Sequence, residues 1–207
     1  MKAFKKTYVK ILFLIVFLVV FSTINKAQSL CQNQSLTFEI RVNDLVSQMT
    51  LDEKISQIVN NSPAITRLNV PAYNWWNETL HGVARSPYKV TTCPQAIVMA
   101  ATWETAFFHK MTGYFAVESR AIFNDSRKKG KSGIYLGLTY WTPNINIFRA
   151  PRWDRGQETH REDSFLTGSL GKAFVDGLDG NDPKYLKASV CALYFAVHSG
   201  PEWSRST

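Results

Sequence analysis

The stretch YWTPNINIFRAPRWDRGQETHRED, residues 140–163, decides how the chain is organised. It sets Trp141, Trp153, two prolines and four arginines (Arg149, Arg152, Arg155, Arg161) among carboxylates, between a segment that reads as a strand and one that reads as a helix. Each guanidinium must stay solvated or paired. A loop with four of them is therefore either an ion-paired structural connection or a functional surface. On its N-terminal side, residues 134–140 form a short apolar run, and residues 145–148 a second one inside the stretch; both predict buried strands. On its C-terminal side, Leu166, Leu170, Phe174 and Leu178 recur every four residues. With Asp163 or Ser164 as N-cap and Gly180 as the stop, they predict a helix over 164–178.

Working outward, residues 102–124 read as the best helix of the chain. Phe107, Phe108, Met111, Phe115 and Ile122 form its apolar stripe, and Thr102 offers an N-cap. Residues 38–59 predict two amphipathic helices broken at Thr50, where Thr50 and Glu53 have the Thr-x-x-Glu spacing of a capping box. Residues 73–83, YNWWNETLHGV, are aromatic and polar without a period, as segments that line a site often are. Residues 188–197 predict a buried strand, with Cys191 as a buried thiol. Strand and helix alternate at the spacing of parallel βα units, so the expected class is α/β, an incomplete (β/α)8 TIM-like barrel amounting to roughly its N-terminal half.

The ends and the charge narrow the function classes. Lys2, Lys5, Lys6 and Lys10 precede the unbroken apolar run of residues 11–21, with small residues at Ala27 and Ser29. This is the pattern of a secretory signal peptide over residues 1–29, and the run is too short for a membrane span of about 20 residues. The expectation is a secreted or periplasmic chain with no membrane association after cleavage. The full chain carries a formal net charge of +8. Five lysines and no acid lie in residues 1–29, so residues 30–207 retain only +3, and no basic stripe argues for nucleic acid. Cys31, Cys93 and Cys191 have no metal-like spacing, and their odd number leaves at least one thiol unpaired in an exported protein; a Cys31–Cys93 bridge stays open.

Four long segments in order, YNWWNETLHGVAR (73–85), SPYKV with CPQAIVMAATW (86–103), WTPNINIFRAPRWDRGQETHREDSFLTG (141–168) and YLKASVCALYFAVHSGPEWSR (185–205), resemble the N-terminal part of glycoside hydrolase family 3, in its β-xylosidase and β-glucosidase-like branch. The resemblance covers nearly all of residues 36–207. It implies a (β/α)8-like barrel, no cofactor and no metal, and retaining hydrolysis of β-linked xylo- or gluco-type oligosaccharides. Two carboxylates about 5 Å apart perform such a reaction. In the family both follow the region that ends here at Thr207. The expectation is thus a truncated chain without turnover of its own, with no catalytic residue of its own. A complementing C-terminal fragment or self-association would be a partner, and a non-catalytic carbohydrate- or partner-binding module is the alternative.

By the same resemblance Glu78 matches an acid that accepts hydrogen bonds from sugar hydroxyls, as a carboxylate does for two adjacent hydroxyls. Arg155 matches a guanidinium that donates to the same ring, with Arg152 as a second donor, and His198 matches the histidine of the AVHSGPE turn. Trp76, with Trp75 and Trp141, offers a stacking floor for a pyranose, against the alternative of buried core tryptophans. Leu193 and Tyr194 stand where the family has Lys-His, so two donors are absent. Ala150 replaces an Asp, removing a partner of Arg149. Asp154 replaces a Gly, predicting strain if that position needs φ > 0 and a carboxylate that competes for Arg155. His160 and Arg161 replace an aromatic or Pro and a Gly, and Ser206 a His; all of these are expected on the site side.

Overall fold

A computed structural model of the protein describes residues 29–196 and 198–199. The expected leader, apart from Ser29, and residues Arg205 and Ser206 lie outside the described residues. The chain separates into two compact units that meet in sequence at Lys54 and Ile55.

In the first unit, α1 spans Phe38–Gln48, with the Thr37 hydroxyl accepting the Ile40 N–H at 3.4 Å. Asp44 accepts from the Cys31 backbone N–H, the Ser29 hydroxyl and the Gln48 amide, at 2.8, 2.8 and 2.9 Å. These bonds, the backbone one foremost, hold its carboxyl below the ordinary value. Helix α2, Leu51–Gln57, which contains the Lys54–Ile55 boundary, opens with the expected capping box: Thr50 N–H donates to Glu53 at 2.8 Å and Glu53 N–H to the Thr50 hydroxyl at 3.2 Å.

The second unit begins with an antiparallel pair, β1 Asn61–Ser62 and β2 Tyr73–Asn74. Helices α3 Ala96–Ala100 and α4 Thr105–Lys128 follow. Thr102 does not cap α4 as expected; its hydroxyl donates to Met99 O at the end of α3, and Trp103, at φ 60°, turns the chain before Glu104 takes the N-cap position. Strand β3, Thr139–Tyr140, leads through the arginine-rich stretch into α5, Ser164–Asp179, and then β4, Ser189–Val190, returns parallel to β3. The predicted strands are realised only in these short pieces. Residues 145–148 form none, but Asn144 makes parallel bridges to both Thr159 and Leu193, which carries the pairing onward. The architecture is α/β, with one β-α-β unit at its centre. Among the described residues no helix is long and apolar enough to cross a membrane.

The core lies between α4 and α5. Phe108, Met111, Phe115 and Ala116 meet Leu166, Leu170, Phe174 and Leu178, with Met99, Tyr140 and Ala188 closing the ends. Asp163 caps α5 by accepting the Leu166 N–H at 2.6 Å. The two helices pack closely at Gly177, where a Cβ would stand 2.0 Å from Thr112 Oγ1 and 2.4 Å from His109 O. His160 belongs to this core and not to the site side: it is fully buried, edge-on to Phe108 at 5.3 Å and tilted on Phe174 at 6.4 Å. Burial pushes its imidazole down to about 4, against a weaker pull from the Thr167 backbone. Among the described residues neither ring nitrogen has a partner of hydrogen-bond geometry. The expected backbone strain also moves: Asp154 has ordinary φ, whereas Arg161 sits at φ 93°. Of the two glycine positions the resemblance marks, only the one now held by Arg161 needs the left-handed region. The three cysteines are all thiols, and Cys191 is exposed, not buried.

Two outcomes follow from the core. An alanine at a helix interior gains about 1 kcal/mol over glycine, but overpacking against the backbone carbonyl of His109 costs about 1–3 kcal/mol. Gly177→Ala should therefore lower the urea midpoint despite the better propensity. For His160 the folded pKa lies below the unfolded value of about 6.5, so the unfolded chain binds the proton first and stability is lost as pH falls between the two. Urea titrations at pH 7 and pH 5 should differ by about 2 kcal/mol from this group, and His160→Phe should remove that part of the difference.

Candidate functional site

The site is built where four segments of the second unit converge. Residues 73–85 lie against residues 135–141 through Asn77, which is fully buried. Its amide donates to Asn74 O at 3.2 Å and Thr139 O at 2.9 Å and accepts the Gly137 N–H at 2.8 Å. Backbone bonds on both sides, Trp141 N–H to Asn77 O and Tyr135 N–H to Trp76 O, at 2.9 and 3.0 Å, complete the join. The neighbours of Asn77 are thereby fixed: Trp76 on one side and Glu78 on the other.

Glu78 is half-buried, and its carboxylate accepts the Leu80 N–H. Burial raises its carboxyl above the ordinary value, opposed by that bond and by His81 and Arg155, and reinforced by Glu158. Glu78, Arg155 and Glu158 thus act on one another electrostatically. Arg155 is gripped by Glu158: Nε donates to both carboxylate oxygens at 3.0 and 2.9 Å, and Nη2 donates to Oε2. The carboxylate that takes Arg155 is this one, three residues on, and not the adjacent Asp154. The Arg155 guanidinium also lies 4.8 Å over the ring of Tyr194. Tyr194 in turn stacks on His198 with centroids 3.8 Å apart and planes inclined by 23°. His198 donates its backbone N–H to Asn146 Oδ1 at 3.2 Å and faces Trp153 at 6.3 Å.

Beside this corner stands an aromatic shelf. Trp76 and Trp141 stack at 5.2 Å and 25°. Trp141 Nε1 donates to Trp75 O at 3.0 Å, and Trp75 Nε1 to Ser62 Oγ at 2.9 Å. The three rings are not core tryptophans: Trp75, Trp76 and Trp141 are 43, 45 and 36 % exposed. The indole N–H groups of Trp75 and Trp141 are occupied, so what these two rings offer is flat apolar surface, stacked on by Trp76.

Of the expected residues, Glu78, Arg155 and His198 come together, and Trp76 is in the adjoining shelf. Arg152 does not join them; it is exposed and, among the described residues, has no hydrogen-bond or ion-pair partner. Among the described residues Arg149 reaches only its neighbour Ile147 O, at 3.4 Å. Glu158 and Asn77 are residues the sequence reading passes over, and Tyr194, read there only as a lost donor, is instead a ring that Arg155 and His198 pack on. The three-residue spacing of Arg155 and Glu158 is the signal for their pairing; for Asn77 and Tyr194 no local pattern marks the role. Two cavities lie elsewhere, one of about 250 Å³ lined by Tyr88, Val90 and Ile122, the other of about 330 Å³ lined by Ile147, Gly168 and Val175. Among the described residues no group of three His, Cys, Asp or Glu is arranged to hold a metal ion.

Chemically the corner can accept hydrogen bonds at Glu78, donate them from the unused N–H groups of Arg155, and stack a ring on tryptophan. Comparison with known proteins gives this a context. A xylan 1,4-β-xylosidase of Xylanibacter ruminicola is 42 % identical over 179 residues, covering 85 % of this chain and 21 % of that protein. A β-D-xylosidase of Arabidopsis thaliana is 38 % identical over 183 residues, covering 83 % of this chain and 23 % of that protein. The chain therefore spans about a fifth of the length of these relatives. A solved exo-β-xylosidase in complex with a xylobiose aziridine activity-based probe superposes with a TM-score of 0.74 at 32 % identity, over 86 % of this chain and 23 % of that one. The model of the glycosyl hydrolase family 3 N-terminal domain matches residues 25–198, and the chain belongs to that family.

Proposed function

We propose that the chain supplies the sugar-holding wall of an exported retaining β-glycosidase of the β-xylosidase or β-glucosidase type. Glu78 accepts hydroxyls of a β-linked oligosaccharide, Arg155 donates to the same ring, and Trp76 provides its apolar floor. One observation carries the reading: Glu78 and Arg155, far apart in sequence, share an electrostatic environment next to exposed, rigidly bonded tryptophans. Half-burial of an acid without a neutralising fork of its own disfavours its charge. That arrangement suits a ligand whose hydroxyls complete the coordination. The relatives named β-xylosidases support the xylo-type sugar. The β3-α5-β4 unit with its parallel bridges is compatible with a segment of a (β/α)8 barrel, and the apolar leader with export.

The bond-breaking carboxylates are not among these residues on this reading, because Glu158 is committed to Arg155 and Glu78 is positioned as an acceptor. The 207-residue chain should bind without turnover. In calorimetry, xylobiose should bind the chain, and Glu78→Gln should weaken binding about 10- to 100-fold, as expected for a hydrogen bond to a charged group. Aryl β-xyloside and aryl β-glucoside should stay intact with the chain alone. No heat at millimolar xylobiose and cellobiose would overturn the sugar-holding reading. Release of aglycone that disappears in Glu78→Gln would overturn the absence of turnover.

The same substitution separates binding from stability. A carboxyl raised by burial favours its neutral form in the folded state, so stability falls as pH rises from the unfolded pKa of about 4.3. Glu78→Gln should therefore melt higher than the parent at pH 7, with the difference closing at and below about pH 4. A lower melting point at pH 7 would mean that Glu78 is a structural acid.

A further inference from the structure

We infer that Tyr194 is a positioning residue that fixes the donor set of Arg155. This deepens the reading of Arg155 as a sugar-hydroxyl donor and rests on it. The phenol ring is covered on one face by the His198 imidazole, 3.8 Å away and inclined by 23°. The Arg155 guanidinium, 4.8 Å over the same ring, then has only the opposite face available. Guanidinium, phenol and imidazole make one column of planar groups, a cation–π contact continued by a ring stack.

Glu158 holds the guanidinium by its edge, through Nε and Nη2. Tyr194 holds it by its face. Edge and face together fix every rotation of a planar group, whereas the edge alone leaves it free to hinge about the line of the fork. Of its five N–H groups, Glu158 engages two, and the three left are therefore held in a set direction. A fixed donor loses less freedom when a ligand arrives, so its affinity is set by how well it is held. Tyr194 makes this contact from the left-handed backbone region, at φ 61°, while its neighbour Phe195 is 89 % exposed. The segment thus holds the tyrosine in an unfavourable backbone conformation while leaving the adjacent aromatic residue unpacked. Its position is spent on the column, since neither face of Tyr194 is left for a sugar.

The test uses the full 207-residue chain with 15N-labelled arginine, the Arg155 Nε–H signal being assigned by its loss in Arg155→Lys. Tyr194→Phe keeps the ring, Tyr194→Leu keeps apolar bulk without a π face, and Tyr194→Ala removes both. The ring current of Tyr194 should shift the Arg155 Nε–H signal in the parent and in the Phe variant, with that shift lost in the Leu and Ala variants. Xylobiose affinity should then fall about 10-fold in Leu and Ala and stay within about twofold in Phe. An Arg155 signal that is the same in the parent and in Tyr194→Leu would overturn the inference. So would a moved signal with unchanged xylobiose affinity. If the signal moves as expected while neither parent nor variants bind xylobiose or cellobiose, the positioning role stands and the sugar-holding reading falls.

Discussion

The buried amide of Asn77 is the contact on which the wall depends. It bonds three backbone groups from two segments, Asn74 O, Thr139 O and the Gly137 N–H, in a position closed to water. Each such group left unpaired would cost about 1–3 kcal/mol, so the two segments cannot part independently. The approach is close enough to fix the residue type opposite. A Cβ at Gly137 would lie 2.5 Å from Asn74 O and 2.6 Å from Asn77 Nδ2. Because Trp76 and Glu78 flank this amide, their directions are inherited from it. A glutamate on a freely moving loop would turn its carboxylate to water; here the anchor holds it half-buried and its carboxyl is raised.

The Arg155–Glu158 pair acts on that carboxylate in a way neither residue would alone. At Glu78, Arg155 favours the ionised form and Glu158 disfavours it, so the two oppose each other, and burial is the leading influence. The pair itself adds little to stability, because its side chains are 32 and 20 % exposed and such ion pairs contribute about 1 kcal/mol or less. Its consequence is geometric. A guanidinium turned edge-on to Glu158 cannot also swing across to neutralise Glu78, which keeps the two charged groups of the wall distinct.

Legibility in the sequence followed locality. The Thr50–Glu53 capping box, the Asp163 cap and the four-residue stripe of α5 are short-range patterns, and each is realised as read. Thr102 misled because a cap is recognised by residue type, while Trp103 at φ 60° lies between it and the helix. The strands came out as short pieces because an apolar run signals burial, and much of residues 134–148 is held by side-chain bonds such as Tyr73 Oη to the Leu138 N–H at 2.7 Å. At the candidate site, Glu78 and Arg155 were found by resemblance. Glu158 was within reach of spacing, but Asn77 and Tyr194 act on partners distant in sequence, and no local pattern encodes those. His160 shows the converse: a polar residue in a charged stretch reads as surface, yet the turn before α5 carries it into the core between Phe108 and Phe174.

Four residues beside the wall sit in the left-handed region without being glycine: Arg85, Tyr135, Arg161 and Tyr194, at φ 48, 63, 93 and 61°. Each conformation costs about 1–2 kcal/mol, a sizeable fraction of the about 5–15 kcal/mol by which a domain is stable. Contacts across the wall hold them there: Arg85 over the Tyr135 ring at 5.6 Å, Tyr135 N–H on Trp76 O, Arg161 O accepting the Phe148 N–H, Tyr194 between Arg155 and His198. Such contacts are reciprocal, so none can form before its partner segment is in place. The wall therefore has no route to its geometry through local preference. It requires a scaffold that is stable first, and in this unit that scaffold is the α4–α5 core, whose stripe positions agree with helical periodicity and whose close crossing at Gly177 needs nothing from the wall. Strain at the wall and consistency in the core are two sides of one division of labour: the core supplies the stability that lets Glu78, Arg155 and Tyr194 occupy positions that their own sequence neighbourhoods disfavour.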